Sequence, residues 1–168
     1  MNNKIESKII SPKKLKSILS SLKKKTVLCH GCFDVVHPGH IRHMTYAKSK
    51  ADILIISITA DKFIDKGTNR PYIPEKIRAT SLANFEIVDY VVIDNNKKPL
   101  EILDLLKPNF FAKGFEYSNN GLPKATKEEL KVVKSYGGKM IFTPGDIVYS
   151  STNFLEINQP NISIEKLI

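Results

Sequence analysis

Gly31-Cys32-Phe33-Asp34-Val35-Val36-His37-Pro38-Gly39-His40 decides how this chain is read. The residues ahead of it, Thr26-Val27-Leu28-Cys29, form a short apolar run that reads as a buried strand, and Ile41 to Lys50 behind it reads as a helix. The expected order is strand, glycine turn, two histidines three apart, helix. Gly31 is expected to let the chain leave the strand tightly, because glycine enters positive φ without steric cost. Pro38 suits a first helical turn, where a missing N–H costs nothing. Gly39 removes a side chain where another group needs to approach the backbone. The first N–H groups of a helix lack intrahelical partners and carry the positive end of its dipole, so the natural guest is an anion, above all a phosphate.

These residues resemble the nucleotidyltransferases with the HxGH signature, the cytidylyltransferase-like superfamily. The pattern G-x-F-D-x-x-H-x-G-H is met at all six specified positions, Gly31, Phe33, Asp34, His37, Gly39 and His40. A spaced motif in a strand-to-helix context says far more than a lone glycine-rich match. The resemblance implies that His37 and His40 contact the phosphates of a nucleoside triphosphate and stabilise the transition state. It also implies that Gly31, Cys32, Phe33, Asp34 and Gly39 line the nucleotide. The competing reading, two helix-start histidines without a ligand, leaves the rest of the motif unexplained.

Composition narrows the class. A chain of 168 residues, 42% hydrophobic and 26% charged, suits one soluble domain with a single core. No apolar run approaches the ~20 residues of a membrane span. Met1 to Ser7 has no apolar signal region, so a cytoplasmic protein is expected. The net charge of +9 is concentrated in residues 1–25, which hold eight lysines and one acid. No arginine-rich or aromatic-interleaved stripe runs through the remainder, so the lysines read as the solvated face of a helix and nucleic acid is not an expected partner. Cys29 and Cys32 form a C-x-x-C pair, which raises a rival redox or zinc reading. Cys29 falls in the buried strand, and a zinc site would need two further ligands from His30, His37, His40 or His43. Packing is the expected role of both cysteines.

Taken in order, residues 1–10 read as a flexible or loosely docked arm and 11–168 as a single domain. Ser11-Pro12 is an N-cap followed by proline, and Leu15, Ile18, Leu19 and Leu22 then repeat at helical spacing. Ala51 to Ile58 is a continuous apolar run, typical of a central parallel strand. Lys62 to Pro71 is a polar loop carrying Lys66, Gly67 and Arg70, and it lies where loops of open α/β sheets close over ligands. Glu75–Phe85 is expected as helix, Ile87–Ile93 as strand with Asp89 inside it, Pro99–Leu106 as helix, and Pro108–Ala112 as strand ending on Lys113-Gly114. Lys124–Tyr136 is a charged helix stopped by Gly137-Gly138, Lys139–Phe142 a strand, and Ser150-Ser151-Thr152 the cap of a helix to Ile157. The alternation predicts an α/β fold, a Rossmann-like parallel sheet with helices on both faces, preceded by the amphipathic helix.

Further segments extend the resemblance over roughly residues 12–157. Thr59-Ala60-Asp61 resembles the family's S/T-x-D segment, Arg78 matches a family arginine, and Ser150-Ser151-Thr152 resembles its S-T-T segment. Lys113-Gly114 and Gly67-x-x-Arg70-Pro71 resemble the heptose-phosphate adenylyltransferase branch more than the glycerol-phosphate cytidylyltransferase branch. The reaction so implied is nucleotidyl transfer from an NTP to a phosphorylated sugar or polyol, with release of pyrophosphate and a product for cell-surface glycan synthesis. Lys66, Arg78 and the Ser150–Thr152 hydroxyls would hold phosphates, Asp61 the ribose or metal, and Lys113-Gly114 the nucleotide. Mg²⁺ would arrive on the triphosphate. A homodimer is expected, since dimers are the commonest soluble assembly. Against this stand a CTP-dependent enzyme for glycerol phosphate and a non-catalytic nucleotide-binding module.

Overall fold

The computed structural model describes residues 3–65, 67, 70–114 and 122–143. In chain order the elements are α1 (Asn3–Glu6), α2 (Pro12–Ser21), β1 (Thr26–Gly31), α3 (Pro38–Lys48), β2 (Ile53–Thr59), a 3₁₀ turn (Asp61–Phe63), α4 (Glu75–Ala83), β3 (Tyr90–Asp94), α5 (Leu100–Leu106), β4 (Phe110–Lys113), α6 (Lys124–Ser135) and β5 (Lys139–Phe142). The five strands form one sheet in the order β3-β2-β1-β4-β5, every pair parallel. The helix expected at Ser150–Ile157 lies outside the described residues.

Strand alternation divides the core in two. Val27, Cys29, Leu54, Ile56 and Val91 point to one face and pack with Met44 and Ala47 of α3 and Ala79, Leu82 and Ala83 of α4. Leu28, Ile55, Val92 and Phe111 point to the other, against Leu15 of α2, Ile102 and Leu103 of α5 and Val133 of α6. Both faces of β2 are therefore buried, which is why Ile53–Ile58 reads as an uninterrupted apolar run rather than an alternation. α2 begins as its sequence dictates: the Ser11 hydroxyl accepts from the Lys14 N–H and Pro12 takes the first turn, which seats Leu15 fully inside. α6 stops at Gly137, whose φ of 81° reverses the chain so that the Gly138 N–H reaches the Val133 carbonyl. Among the described residues, no helix is long and apolar enough to cross a membrane.

Two details differ from the sequence reading. The first ten residues were expected as a flexible or loosely docked arm; Ile5 and Ile9 pack on the core. The Ile10 N–H donates to Val91 O at 3.1 Å and the Val91 N–H to Lys8 O at 2.9 Å, a parallel bridge along the outer edge of β3. Asp89, expected inside a strand, precedes β3, where its carboxylate accepts from the Leu54 N–H at 2.7 Å and from Lys48 Nζ at 2.6 Å. A side chain there takes the place of a ladder partner.

The topology also fixes where a ligand can sit. From β1 the chain steps to β2 and β3 on one side, then returns to place β4 and β5 on the other. The crevice at such a switch point, outside the carboxyl ends of β1 and β4, is the ligand position of open α/β sheets. The histidine motif leaves β1 there, and Lys113-Gly114 ends β4 beside it.

Candidate active site

The motif loop is built around Phe33 rather than Gly31. Gly31 stays in β1, and it is Phe33 that takes the left-handed conformation, with φ 50°. The ring so turned covers Gly31: a Cβ there would meet Phe33 Cε2 at 3.2 Å. Gly31 is thus glycine because of close approach, which corrects the expectation of a positive-φ hinge. On its other side the Phe33 ring lies 4.9 Å from the His40 ring. His37 is the N-cap residue of α3, with extended backbone and no side-chain cap bond, and its carbonyl accepts from the His40 and Ile41 N–H groups. Pro38 follows at the first helical position and Gly39 completes the first turn.

His37 and His40 stack, with ring centroids 3.8 Å apart and planes inclined by 27°. Burial pushes the His37 imidazole below its ordinary pKa, so it is neutral at neutral pH. Its buried Nδ1 has no hydrogen-bond partner among the described residues. Two imidazoles presented together at the start of an eleven-residue helix, beside the switch point, form an anion-facing surface.

Asp34 and Arg78 turn inward, which sequence spacing could not reveal. The buried Asp34 carboxylate accepts from the Tyr72 N–H at 3.1 Å, the Ile73 N–H at 2.9 Å and Arg70 Nη1 at 2.7 Å. Burial would raise that carboxyl; the two amides and the guanidinium outweigh it and hold it below the ordinary carboxylate range. Arg70, a candidate phosphate cation of the polar loop, is committed to this pair and stacks over the Tyr72 ring at 4.6 Å. Arg78 is only 1% exposed. Its Nε donates to Ile73 O at 2.9 Å, Nη1 to Cys32 O, and Nη2 to Thr59 O at 2.9 Å and Asp61 Oδ1 at 2.6 Å. The family arginine therefore ties the ends of β1 and β2 to the segment before α4, its guanidinium bonded to protein acceptors. Asp61 is likewise occupied: its second oxygen accepts from the Glu75 N–H at 3.1 Å, while Glu75 Oε2 accepts from the Asp61 N–H at 2.8 Å. This reciprocal pair starts α4 and uses the oxygens expected to meet ribose or metal.

Lys113, at the end of β4, forms a 2.7 Å ion pair with Glu129 of α6, both largely buried. Gly114 follows it at the mouth of the switch point. Cys32 leaves β1 with its carbonyl on Arg78, while Cys29 is fully buried and its thiol is pushed up by burial, opposite to what a reactive thiolate needs. Lys66, Ser150, Ser151 and Thr152 lie outside the described residues. Gly67 has φ 95°, a conformation that suits glycine.

Three further groups stand near the site, of which the sequence reading named His30 and His43 only as possible zinc ligands and Asp94 not at all. His30 faces Ser57 and Thr59, and burial, followed by the charge of Lys113, lowers it to about 3. Asp94 ends β3 2% exposed. His43 of α3 meets Thr143 beyond β5 and is lowered to about 4, mainly by burial. For His30 and Asp94 the only sequence signal was a polar residue near the end of an otherwise apolar strand.

A parallel sheet of order 3-2-1-4-5 with paired histidines at its switch point defines a nucleotide-handling α/β enzyme. Residues 28–157 match the cytidylyltransferase-like family, so the chain belongs to that family and is a nucleotidyltransferase. Among curated proteins it is 40% identical over 129 residues to the bifunctional protein HldE of Aliarcobacter butzleri (strain RM4018), covering 75% of this chain and 27% of that protein. Identity to HldE of Geobacter metallireducens is 37% over 135 residues, with 79% of this chain and 26% of the relative covered. The chain thus spans about a quarter of these relatives. Of solved structures, the lipopolysaccharide core biosynthesis protein of Thermoplasma volcanium GSS1 superposes with a TM-score of 0.58 at 20% identity, over 76% of this chain and 99% of that one. Pantoate-beta-alanine ligase of Francisella tularensis superposes at 0.59 and 18% identity, over 88% of this chain and 72% of that one. These two likenesses establish the fold.

Proposed function

We propose that this domain transfers the nucleotidyl group of an NTP, with ATP favoured over CTP, to the phosphate of a sugar phosphate, releasing pyrophosphate and giving a nucleotide-activated sugar for cell-surface glycan synthesis. The observation that carries this reading is the stacked His37–His40 pair at the start of α3, beside the switch point. An acceptor phosphate oxygen attacks the α-phosphorus in line, the bond to the bridging oxygen breaks, and pyrophosphate leaves. Such chemistry asks the protein for alignment and charge stabilisation, with no covalent intermediate. Neutral His37, together with His40 at the positive end of the α3 dipole, donates to phosphate oxygens as charge develops there. The HldE relatives support a sugar-phosphate acceptor. Lys113-Gly114 and Gly67-x-x-Arg70-Pro71 favour adenine, while the family's description as cytidylyltransferase-like supports a CTP-dependent enzyme, with glycerol phosphate or a related polyol phosphate as acceptor, as second reading.

Among the described residues no group of three or more His, Cys, Asp or Glu is set to hold a metal, and Asp34 and Asp61 already serve protein donors. That donor set fits Mg²⁺ held by the triphosphate oxygens and water. When bound, the ion neutralises phosphate charge. The reading is tested by a pyrophosphate-release screen that crosses the four NTPs with phosphorylated sugars and polyols. Turnover confined to one NTP with a sugar phosphate is expected; release with no pair would overturn it, and release with CTP and glycerol 3-phosphate would establish the second reading.

A further inference from the structure

A polar row interrupts the apolar core on the sheet face covered by α2, α5 and α6, at the carboxyl ends of β1, β2 and β3. By strand parity His30 follows Leu28, Ser57 and Thr59 follow Ile55, and Asp94 follows Val92 on that face. His30 Nδ1 lies 3.0 Å from Ser57 Oγ and Nε2 lies 3.3 Å from Thr59 Oγ1. One Asp94 oxygen accepts from Asn96 Nδ2 at 2.9 Å. The other, Oδ2, is buried and has no hydrogen-bond partner among the described residues; His30 Nδ1 is the nearest ring nitrogen, at 4.0 Å. That gap is too long for a hydrogen bond, and both imidazole nitrogens already meet hydroxyls, so Oδ2 still needs a donor. Buried polar atoms are almost always paired, so an open carboxylate oxygen at the carboxyl end of the sheet points to a neutral donor, such as a hydroxyl, from outside.

We propose that Asp94, flanked by His30 and the Ser57 and Thr59 hydroxyls that hold the imidazole, reads a hydroxyl group of the acceptor substrate, which would donate to Asp94 Oδ2. This rests on the transfer reaction proposed above. Placement favours the acceptor over the nucleotide. The paired histidines follow the central strand β1, so the reacting phosphates lie between the two halves of the sheet. Lys113-Gly114 ends β4 on one side of β1, and the row runs from His30 on β1 across β2 to Asp94 on β3 on the other, so that the nucleotide and the acceptor can take opposite sides. The row also suits a neutral group rather than a phosphate, because Lys113 and burial keep His30 uncharged at neutral pH. A site built to bond a hydroxyl rejects an analogue lacking it far more strongly than an apolar pocket rejects a missing methylene.

The test uses the full chain with heptose 1-phosphate and glycerol 3-phosphate, and monodeoxy analogues of whichever is turned over. Asp94→Asn and His30→Asn are expected to raise the KM for the acceptor at least tenfold while the KM for the NTP stays within twofold. Each should also shrink the preference for the intact acceptor over one particular deoxy analogue. Asp94→Asn is further expected to keep or raise the melting temperature, which a purely structural carboxylate would not do. An active enzyme whose variants fold, keep their acceptor KM and discriminate every analogue as before would overturn this inference alone. Pyrophosphate release with no acceptor would overturn it together with the proposed function. A lowered melting temperature for both variants with unchanged acceptor KM would show a structural plug and would also overturn it.

Discussion

Two polar regions of this molecule, each with buried charged groups, differ in whether their hydrogen bonds close. In the β2–α4 turn the charged groups of Asp34, Asp61, Arg70, Glu75 and Arg78 are answered. Arg78 donates to three carbonyls and Asp61, both Asp34 oxygens accept, and Asp61 and Glu75 cap one another. At the ends of β1 and β3 and in the motif loop, buried His37 Nδ1 and Asp94 Oδ2 have no answer among the described residues. A closed network fixes geometry, because removing any member strands the others in a low-dielectric interior. An open one marks where something from outside completes the bonds. The same residue types therefore serve as scaffold in one place and as receptor in the other.

The comparison is broken most severely at Arg78. Arg78→Met should lose about 3–5 kcal/mol of stability, the cost of leaving a buried ion-pair and hydrogen-bond network without its cation, measured by urea unfolding. A loss below 1 kcal/mol would mean that the turn does not depend on its guanidinium. Next comes His40→Ala, expected to lower kcat by about 10²–10³, or roughly 2.7–4 kcal/mol of transition-state stabilisation, with little change in unfolding midpoint. Unaltered turnover would remove the histidine pair from the chemistry.

Asp94 sharpens the contrast through pH. Burial, working against its bonds to Asn96, raises its carboxyl to about 6. A carboxyl raised above its unfolded value of about 3.9 makes the fold more stable at low pH and less stable as pH rises from 4 through 6. Asp94→Asn should therefore gain about 1–3 kcal/mol over the wild type at pH 7.5, and the gain should vanish near pH 4. Asp34 has the opposite sign: its carboxyl is depressed, so its contribution is present above the unfolded value and fades as pH falls below about 4. Parallel unfolding series from pH 4 to 8 would reveal a false assignment if the Asp94→Asn difference did not change with pH. The smallest effect is expected at Gly31→Ala, where the new Cβ presses on the Phe33 ring at 3.2 Å. About 1 kcal/mol of stability should be lost. Turnover should fall more than stability, because the displaced ring also touches His40; equal turnover would detach Phe33 from the site.

Most of the sheet was legible because apolar runs buried on two faces leave little choice of element. Thr26–Cys29 and Ala51–Ile58 lie almost where β1 and β2 are, and the Ser11-Pro12 cap started α2 as written. The motif placed His37 and His40 at the helix start, again as the spacing dictates. Legibility ended at side-chain direction. Asp34, Asp61, Arg70 and Arg78 carry the charges a phosphate site wants, but only the folded turn reveals that they face one another. Asp94 was missed, and His30 was weighed only as a zinc ligand, for the converse reason, since one polar residue near the end of an apolar strand has no periodic signal. Gly31 was explained by the commonest property of glycine, when a ring folded over its Cα was the operative one.

The arm along β3 has a consequence for how copies of this chain meet. With Lys8 and Ile10 bonded to both backbone groups of Val91, that rim of the sheet offers no vacant rungs to a neighbouring molecule at this position. A shortened chain starting at Ser11 would bare them, and self-association along that rim would follow as a defect of truncation rather than a property of the native protein.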